Sequence, residues 1–278
     1  MDDLQFGICI LSHRTSHEAA TLALELDVRF QPLAIAVIEN GGRAEDEQRL
    51  RTAFAERPSV WVQTCSNQGY AHGNNVGLQL LHEKGCRYAF VFNPDVWIPP
   101  TTDLVSWVAQ TAALNAAVSG PQIITVDQKV TAPLPEMTPW NSVLPVWLIP
   151  KHGNDSSRTN VHATTGCALL LDLKVILNLG GFDEHLFLYR EEQALGHKLA
   201  QHGLAWMYLP EWTVEHRHQR KVGSYRTWWR HRQWEYASTV HVFAKYQGQS
   251  ALGLAAYSVL FAAKTVLYAL LLPFFARR

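Results

Sequence analysis

The sequence predicts an α/β chain built on a largely parallel sheet with helices on both faces. Three observations carry this. Continuous apolar runs of strand length recur through the first half: FGICIL at 6–11, LAIAVI at 33–38 and YAFVF at 88–92. Stretches with helical spacing separate them. The 278 residues are 47% hydrophobic and 17% charged, enough to bury a full core. Strands without polar alternation must be covered on both sides, as in a parallel sheet between helices. Such a sheet takes ligands beyond the carboxyl ends of its strands.

In chain order, the first strand is Phe6 to Leu11, and Ser16 is expected to cap a helix running through Leu26. The second strand, Leu33 to Ile38, ends at Glu39-Asn40-Gly41-Gly42, and a charged helix from Arg43 to Glu56 follows. Val60 to Gln63 is a third strand. Helical spacing resumes from Asn74 to Lys84, before the Tyr88 to Phe92 strand and Asn93-Pro94-Asp95. From Thr131 to Val161 the chain is rich in Pro and Trp without periodicity and reads as a surface excursion or lid. A strand at Cys167 to Leu171 leads into a helix starting at Asp172. Gly180-Gly181-Phe182-Asp183-Glu184 is a turn, Glu191 to His202 a helix, and a strand leads to Pro210 and on to Val214-Glu215-His216. A basic, aromatic helix covers Tyr225 to Tyr246. The expected division is a main domain over 1–246 and an apolar helical tail over 247–278.

Charge excludes some partners. Lys plus Arg and Asp plus Glu both total 24, so no chain-wide basic field exists for nucleic acid, and anion binding must be local. Cys9, Cys65, Cys86 and Cys167 are widely spaced, with no Cys-x-x-Cys pair and no zinc spacing. They read as reduced thiols of a cytoplasmic protein. The acidic start, Met1-Asp2-Asp3, lacks the basic and apolar regions of a secretory signal.

Four constellations have chemistry to offer. In Asn67-Gln68-Gly69-Tyr70-Ala71-His72-Gly73-Asn74-Asn75-Val76-Gly77, glycines recur every fourth residue where a strand meets a helix. They permit close approach of another backbone or a ligand, or simply form a tight turn with close helix packing. Asp95 follows the YAFVF strand, where a carboxylate suits Mg²⁺ or Mn²⁺ or caps a turn. Asp183, Glu184, Glu191 and Glu192 precede a helix; they match its dipole or include a general base. Glu215-His216-Arg217-His218 puts basic groups at a strand end, where an anion or a metal would sit.

Taken in order, these pieces resemble the family 2 inverting glycosyltransferases of the GT-A fold, nearest the bacterial rhamnosyltransferase-like branch that builds surface polysaccharides. The matching residues are Asn67-x-Gly69-Tyr70-Ala71-x-Gly73-x-Asn75-x-Gly77, Asn93-Pro94-Asp95, Gly166, Gly180-Gly181-Phe182-Asp183-Glu184, Tyr189-x-Glu191-Glu192, Pro210 and His216, over about residues 6–246. The resemblance implies a Rossmann-like nucleotide-diphospho-sugar transferase fold. Ser12, Glu39 and Asn40 would line the base and ribose pocket, and Asn67, Gly69 and Asn75 the donor side. Asp95, joined by His216, would bind the Mg²⁺ or Mn²⁺ that bridges the diphosphate. Glu192, beside Glu191, stands where the family has its base, and Asp183 and Glu184 would border the acceptor. The donor would be a dTDP-rhamnose or UDP-sugar type of molecule and the acceptor a hydroxyl of a lipid-linked glycan or polysaccharide.

Three departures bear on this. The family's Glu-Asp-x-Asp-Leu reads Glu191-Glu192-Gln193-Ala194-Leu195, which lengthens the base by a methylene and deletes an acid. The first strand ends in Ser12-His13-Arg14 where many relatives have Thr-Tyr-Asn, and the His-x-x-Gly-x-Ser stretch is loosened to Gly223-Ser224. The altered acids also fit a non-catalytic sugar-nucleotide-binding or scaffold subunit. A nucleotidyltransferase would need a glycine-rich first loop followed by Arg, which Ser12-His13-Arg14-Thr15 does not supply.

Ala251 to Phe275 is almost wholly apolar, broken mainly by Lys264. About 20 such residues span a bilayer, but a central Lys opposes this by about 2.5–3.5 kcal/mol. The alternatives are a helix in the membrane interface with Lys264 snorkelling, or a core or homodimer helix. Arg217, Arg220, Lys221, Arg226, Arg230 and Arg232 among Trp228, Trp229 and Trp234 suit an anionic membrane face. The expected location is the cytoplasmic face of the inner membrane, beside a polyprenyl-linked acceptor.

Overall fold

The computed structural model describes residues 4–127, 129–131, 133–143, 159–217 and 224–275. The first half alternates as the apolar runs require: β1 (Phe6–Ser12), α1 (Ser16–Phe30), β2 (Ala34–Asn40), α2 (Ala44–Ala53), β3 (Val60–Cys65), α3 (Tyr70–Glu83) and β4 (Tyr88–Phe92). Next come β5 (Val96–Trp97), α4 (Leu104–Ala113), β6 (Val118–Thr125), β7 (Val130–Thr131), α5 (Pro139–Val143) and β8 (Thr159–Asn160). The chain closes with β9 (Ala168–Asp172), α6 (Leu173–Asn178), α7 (Glu191–Gln201), β10 (Trp206–His216), α8 (Tyr225–Lys245) and α9 (Ala251–Phe275).

One sheet contains all the described strands, in the order β3-β2-β1-β4-β9-β6-β10-β5, with β7 on β6 and β8 on β10. The parallel arrangement holds for β3, β2, β1 and β4. It fails beyond them: β9 runs antiparallel to both β4 and β6, while β6 and β10 are parallel to each other. The sheet is therefore mixed, a correction to the largely parallel expectation. A buried strand shows no alternation whichever way its neighbours run, so direction was not encoded in the apolar runs.

β1 lies between β2 and β4 and is buried throughout. Phe6, Ile8 and Ile10 face a core completed by α1 and by Trp107 and Val108 of α4. Cys9 and Leu11 face the second core, built with Leu78 and Leu81 of α3, Ile176 of α6 and Leu195 of α7. Alternation along an extended chain feeds both layers.

β6 and α4 lie in a stretch from 97 to 130 for which the sequence reading assigned no element. Gly120-Pro121 lies within β6, and proline supplies no ladder N–H. The register of β10 shifts between Leu209, which faces Pro121, and Thr213, so a bulge absorbs the missing donor. Two expected starts are also revised. The Ser16 hydroxyl does not cap α1 but donates to Asp46 at 2.6 Å. α3 begins at Tyr70, so Gly73 and Gly77 lie inside it, packed against Leu11 and Cys9.

The expected lid is described at 131, 133–143 and 159–161; its centre lies outside the described residues. The backbone of Pro135 and Met137 is held by Gln193 of α7, so this part of the excursion is fastened to the body.

Candidate active site

The carboxyl ends of β1, β2, β3 and β4 share one edge of the sheet, and most of the expected residues stand there. Ser12 closes β1 and donates to Glu39 Oε2 at 2.6 Å. Both side chains are fully buried. Burial pushes the Glu39 carboxyl up, against the lowering effect of Ser12. Its other oxygen, Oε1, is buried beneath Gly42 with no hydrogen-bond partner. A buried acceptor left unsatisfied carries a desolvation cost that a ligand hydroxyl or N–H would relieve. Asn40 donates to the Gly69 carbonyl at 3.0 Å, and Asn67 accepts from the Gly69 amide at 3.1 Å. Gly69 itself has φ 109°, and a Cβ there would lie 2.4 Å from the Phe187 carbonyl oxygen. That close approach requires glycine.

Asp95 and His216 meet because β5 pairs antiparallel with β10, placing Val96 opposite His216. Their facing atoms, Asp95 Oδ1 and His216 Nε2, are 3.2 Å apart, on side chains that are half-buried. A carboxylate oxygen and an imidazole nitrogen form a donor pair suited to a divalent cation. Arg217 is turned elsewhere: it pairs with Glu215 at 3.0 Å and lies over the Trp97 ring at 4.2 Å. His218 lies outside the described residues.

Glu191 and Glu192 open α7. Tyr189 and Arg190, just before it, both have left-handed backbone, φ 75° and 74°. Non-glycine residues hold this conformation only where surrounding structure enforces it. Glu191 is buried with Oε1 unpartnered. Burial raises its carboxyl, and the Glu192 charge adds to the rise. Burial raises Glu192 as well, while backbone amides of Glu192 and Gly166 oppose it. A Cβ on Gly166 would fall 2.0 Å from Glu192 Oε1, so this glycine makes the room that the longer acid needs.

Asp95 and Glu192 thus reach one edge from distant parts of the chain. Tyr70 joins the two sides. Its hydroxyl donates to the Gly166 carbonyl at 2.9 Å and approaches Asn93 Oδ1 at 3.3 Å. Cys167, next along, is pushed up beyond the ordinary thiol range by burial and by the charges of both Asp95 and Glu192, so both acids lie within electrostatic reach of one sulfur. Tyr70 and Gly166 belonged to the sequence pattern without an assigned role. A tyrosine beside a glycine-rich turn was the available signal for the first.

The remaining acids are occupied. Asn75 donates to Glu184 at 2.8 Å and to the Phe182 carbonyl at 2.9 Å, and His72 contacts Glu184 at 2.8 Å. These bonds lock the Gly180–Glu184 turn onto α3. Asp183 is bound by His241 at 2.8 Å, Lys245 at 2.9 Å and Tyr246 at 2.8 Å, and His185 contacts its other oxygen at 3.0 Å. Ligand atoms of Asp183, His185 and His241 lie within 4.8 Å of one another, a spacing compatible with a metal ion. The Lys245 ammonium already bonds that carboxylate at 2.9 Å and competes with any cation there. A cavity of about 530 Å³ is lined by Glu136, His197, Tyr246, Gln247, Tyr257 and Leu260 among others.

No protein-family model and no curated protein matches the chain. Solved structures match it in fold. GalNAc-T7, with UDP, GalNAc and Mn²⁺, superposes with a TM-score of 0.63 at 13% identity, covering 87% of this chain and 49% of that one. This chain therefore spans about half of that protein. The mannosyltransferase PcManGT from Pyrobaculum calidifontis, in complex with GDP-Man and Mn²⁺, gives 0.61 at 14% identity, covering 98% and 79%. TarS 1–349 of S. aureus, in complex with UDP-GlcNAc, gives 0.58 at 12% identity, covering 94% and 71%. With its parallel first half, mixed second half and apolar C-terminal helix, the chain has the GT-A fold.

Proposed function

We propose that the chain is an inverting, metal-assisted glycosyltransferase that moves a sugar from a nucleoside-diphosphate sugar to an acceptor hydroxyl. The observation that carries this reading is the meeting, on one sheet edge, of a half-buried Asp95–His216 pair and a half-buried carboxylate at Glu192, linked through Tyr70. Ser12, Glu39 and Asn40 hold the base and ribose, with Glu39 Oε1 taking a ligand donor. Asn67, Gly69 and Asn75 shape the donor side. Asp95 and His216 would hold Mg²⁺ or Mn²⁺, which supplies positive charge against the leaving diphosphate. Glu192 accepts the proton of the acceptor hydroxyl while that oxygen bonds to the anomeric carbon and the sugar–diphosphate bond breaks. The configuration inverts because attack and departure take opposite faces. Asp183 and Glu184 shape the acceptor side through the turn that they brace rather than by free carboxylates. The donor class is a dTDP-rhamnose or UDP-sugar type. The acceptor is a lipid-linked glycan or polysaccharide of the bacterial cell surface, met at the cytoplasmic face of the inner membrane.

A panel of nucleotide sugars with Mg²⁺ or Mn²⁺, scored by release of nucleoside diphosphate, should identify the donor. With it, Glu192→Gln should lower kcat by about 10²- to 10⁴-fold while nucleotide binding survives. Wild-type chain that binds a donor and transfers nothing to any acceptor would instead establish the second reading, a sugar-nucleotide-binding scaffold subunit. That reading is favoured by Ala194, buried where the family has a second acid, and by Gln193, committed to the Pro135–Met137 backbone.

A further inference from the structure

By length and composition α9 qualifies as a membrane span, with mean hydropathy 1.5 over Ala251–Leu270. Its packing points elsewhere. Gln247 to Ser250 reverse the chain, and α9 returns along α8. Tyr257 and Phe261 are buried against Tyr236 and Phe243. Tyr236 and Ser258 share a hydrogen bond of 2.7 Å. The Arg232 guanidinium lies 4.2 Å over the Phe261 ring and donates to Thr265 at 3.1 Å. Lys264 donates to the Ser142 carbonyl at 3.2 Å, so the one charge of α9 faces protein. A span would strip these partners away or drag α8, with Arg226, Arg230, Arg232, Glu235 and Lys245, into hydrocarbon.

Among the described residues nothing covers the opposite side of α9. Leu252, Val259, Leu260, Val266, Leu267 and Leu270 are exposed, at spacings that put them on one stripe. Beside the C-terminal half of α9, the start of α8 shows a second exposed stripe: Tyr225, Arg226, Trp229 and Arg230. Neither Arg226 nor Arg230 forms an ion pair among the described residues. Glu235 is the only acidic residue in α8 and α9, and Arg190 and Arg232 already hold it at 3.2 and 2.6 Å. A second copy of this hairpin therefore has no free carboxylate to offer the arginines, whereas anionic headgroups do.

We infer that α8 and α9 form a platform lying in the plane of an anionic membrane surface. The α9 stripe enters the boundary between headgroups and acyl chains, and Tyr225, Arg226, Trp229 and Arg230 sit among the headgroups. The inference is independent of sugar transfer.

The test is co-sedimentation of the full chain with vesicles of phosphatidylcholine alone or with about a third phosphatidylglycerol. The anionic vesicles should bind more tightly, and the preference should fall with salt. R226E/R230E should weaken anionic binding by roughly 10- to 30-fold. V259E/V266E should abolish binding to both vesicles. All four positions are exposed, so melting temperature and nucleoside diphosphate release with a soluble acceptor should be unchanged in both variants. Alkaline carbonate should release the bound wild-type chain. Retention through that wash would overturn the inference in favour of a span. Absence of vesicle binding together with a dimer broken by V259E/V266E would overturn it in favour of a second copy. Loss of sugar transfer with vesicle binding intact would strike the proposed function alone.

Discussion

At the residue scale, the acids of this chain divide by environment. Burial would raise the Asp183 carboxyl, but Lys245, His241 and Tyr246 outweigh it and hold it far below the ordinary carboxylate range. A depressed group stabilises the fold above its unfolded value, near pH 3.9, and that contribution is lost as pH falls below it. Asp183→Asn should cost about 3 kcal/mol at neutral pH, read by urea denaturation, because Lys245 loses its counter-charge. Glu192 is shifted the other way, by burial. A base must be ionised to work, so a raised value confines activity to higher pH. The acid limb of kcat/KM should lie above the ordinary glutamate value of about 4.3, measured with saturating metal. A limb at or below that value would remove Glu192 from the base role. These environments were not legible in the sequence. Asp183 and Glu192 both sat in acid-rich stretches, and only distant partners, Lys245 for one and Gly166 for the other, separate their chemistry.

At the element scale, local signals served well where one element explains itself. The apolar runs marked β1, β2 and β4, and Asp172 caps α6 through the Val175 amide at 3.2 Å. They served poorly where a neighbour compensates for a poor local fit. β6 carries Gly120-Pro121 and persists because β10 bulges opposite it. The glycines of the Asn67–Gly77 stretch show both outcomes: Gly73 and Gly77 serve helix packing, whereas Gly69 holds a backbone crossing. Gly69→Ala combines positive φ with a backbone clash and should lower stability by about 1–3 kcal/mol, seen as a lower melting temperature. Gly166→Ala should leave the fold largely intact yet displace the Glu192 carboxylate by about 1 Å. The expected loss is about 10²-fold in kcat, with donor affinity preserved.

At the scale of the whole molecule, α9 completes a core as well as presenting a surface. Tyr257 is almost fully buried among Phe243, Tyr236 and Phe261. Tyr257→Ala should cost about 3–5 kcal/mol in thermal or chemical denaturation, like other large aromatic truncations in a core. An unchanged stability would mean that α9 is not packed on α8 in solution. The tail is therefore coupled to the preceding domain.

Apolar runs, glycine spacing and the ordered acids suffice to announce an α/β sheet and the residues at its carboxyl edge, because backbone geometry and burial act within a few neighbouring residues. Strand direction in the second half, the meeting of Asp95 with His216, the room made for Glu192 and the turning of Lys264 towards Ser142 emerge on folding. Each depends on groups tens to hundreds of positions apart in the chain, and no short-range pattern specifies which distant surfaces will touch.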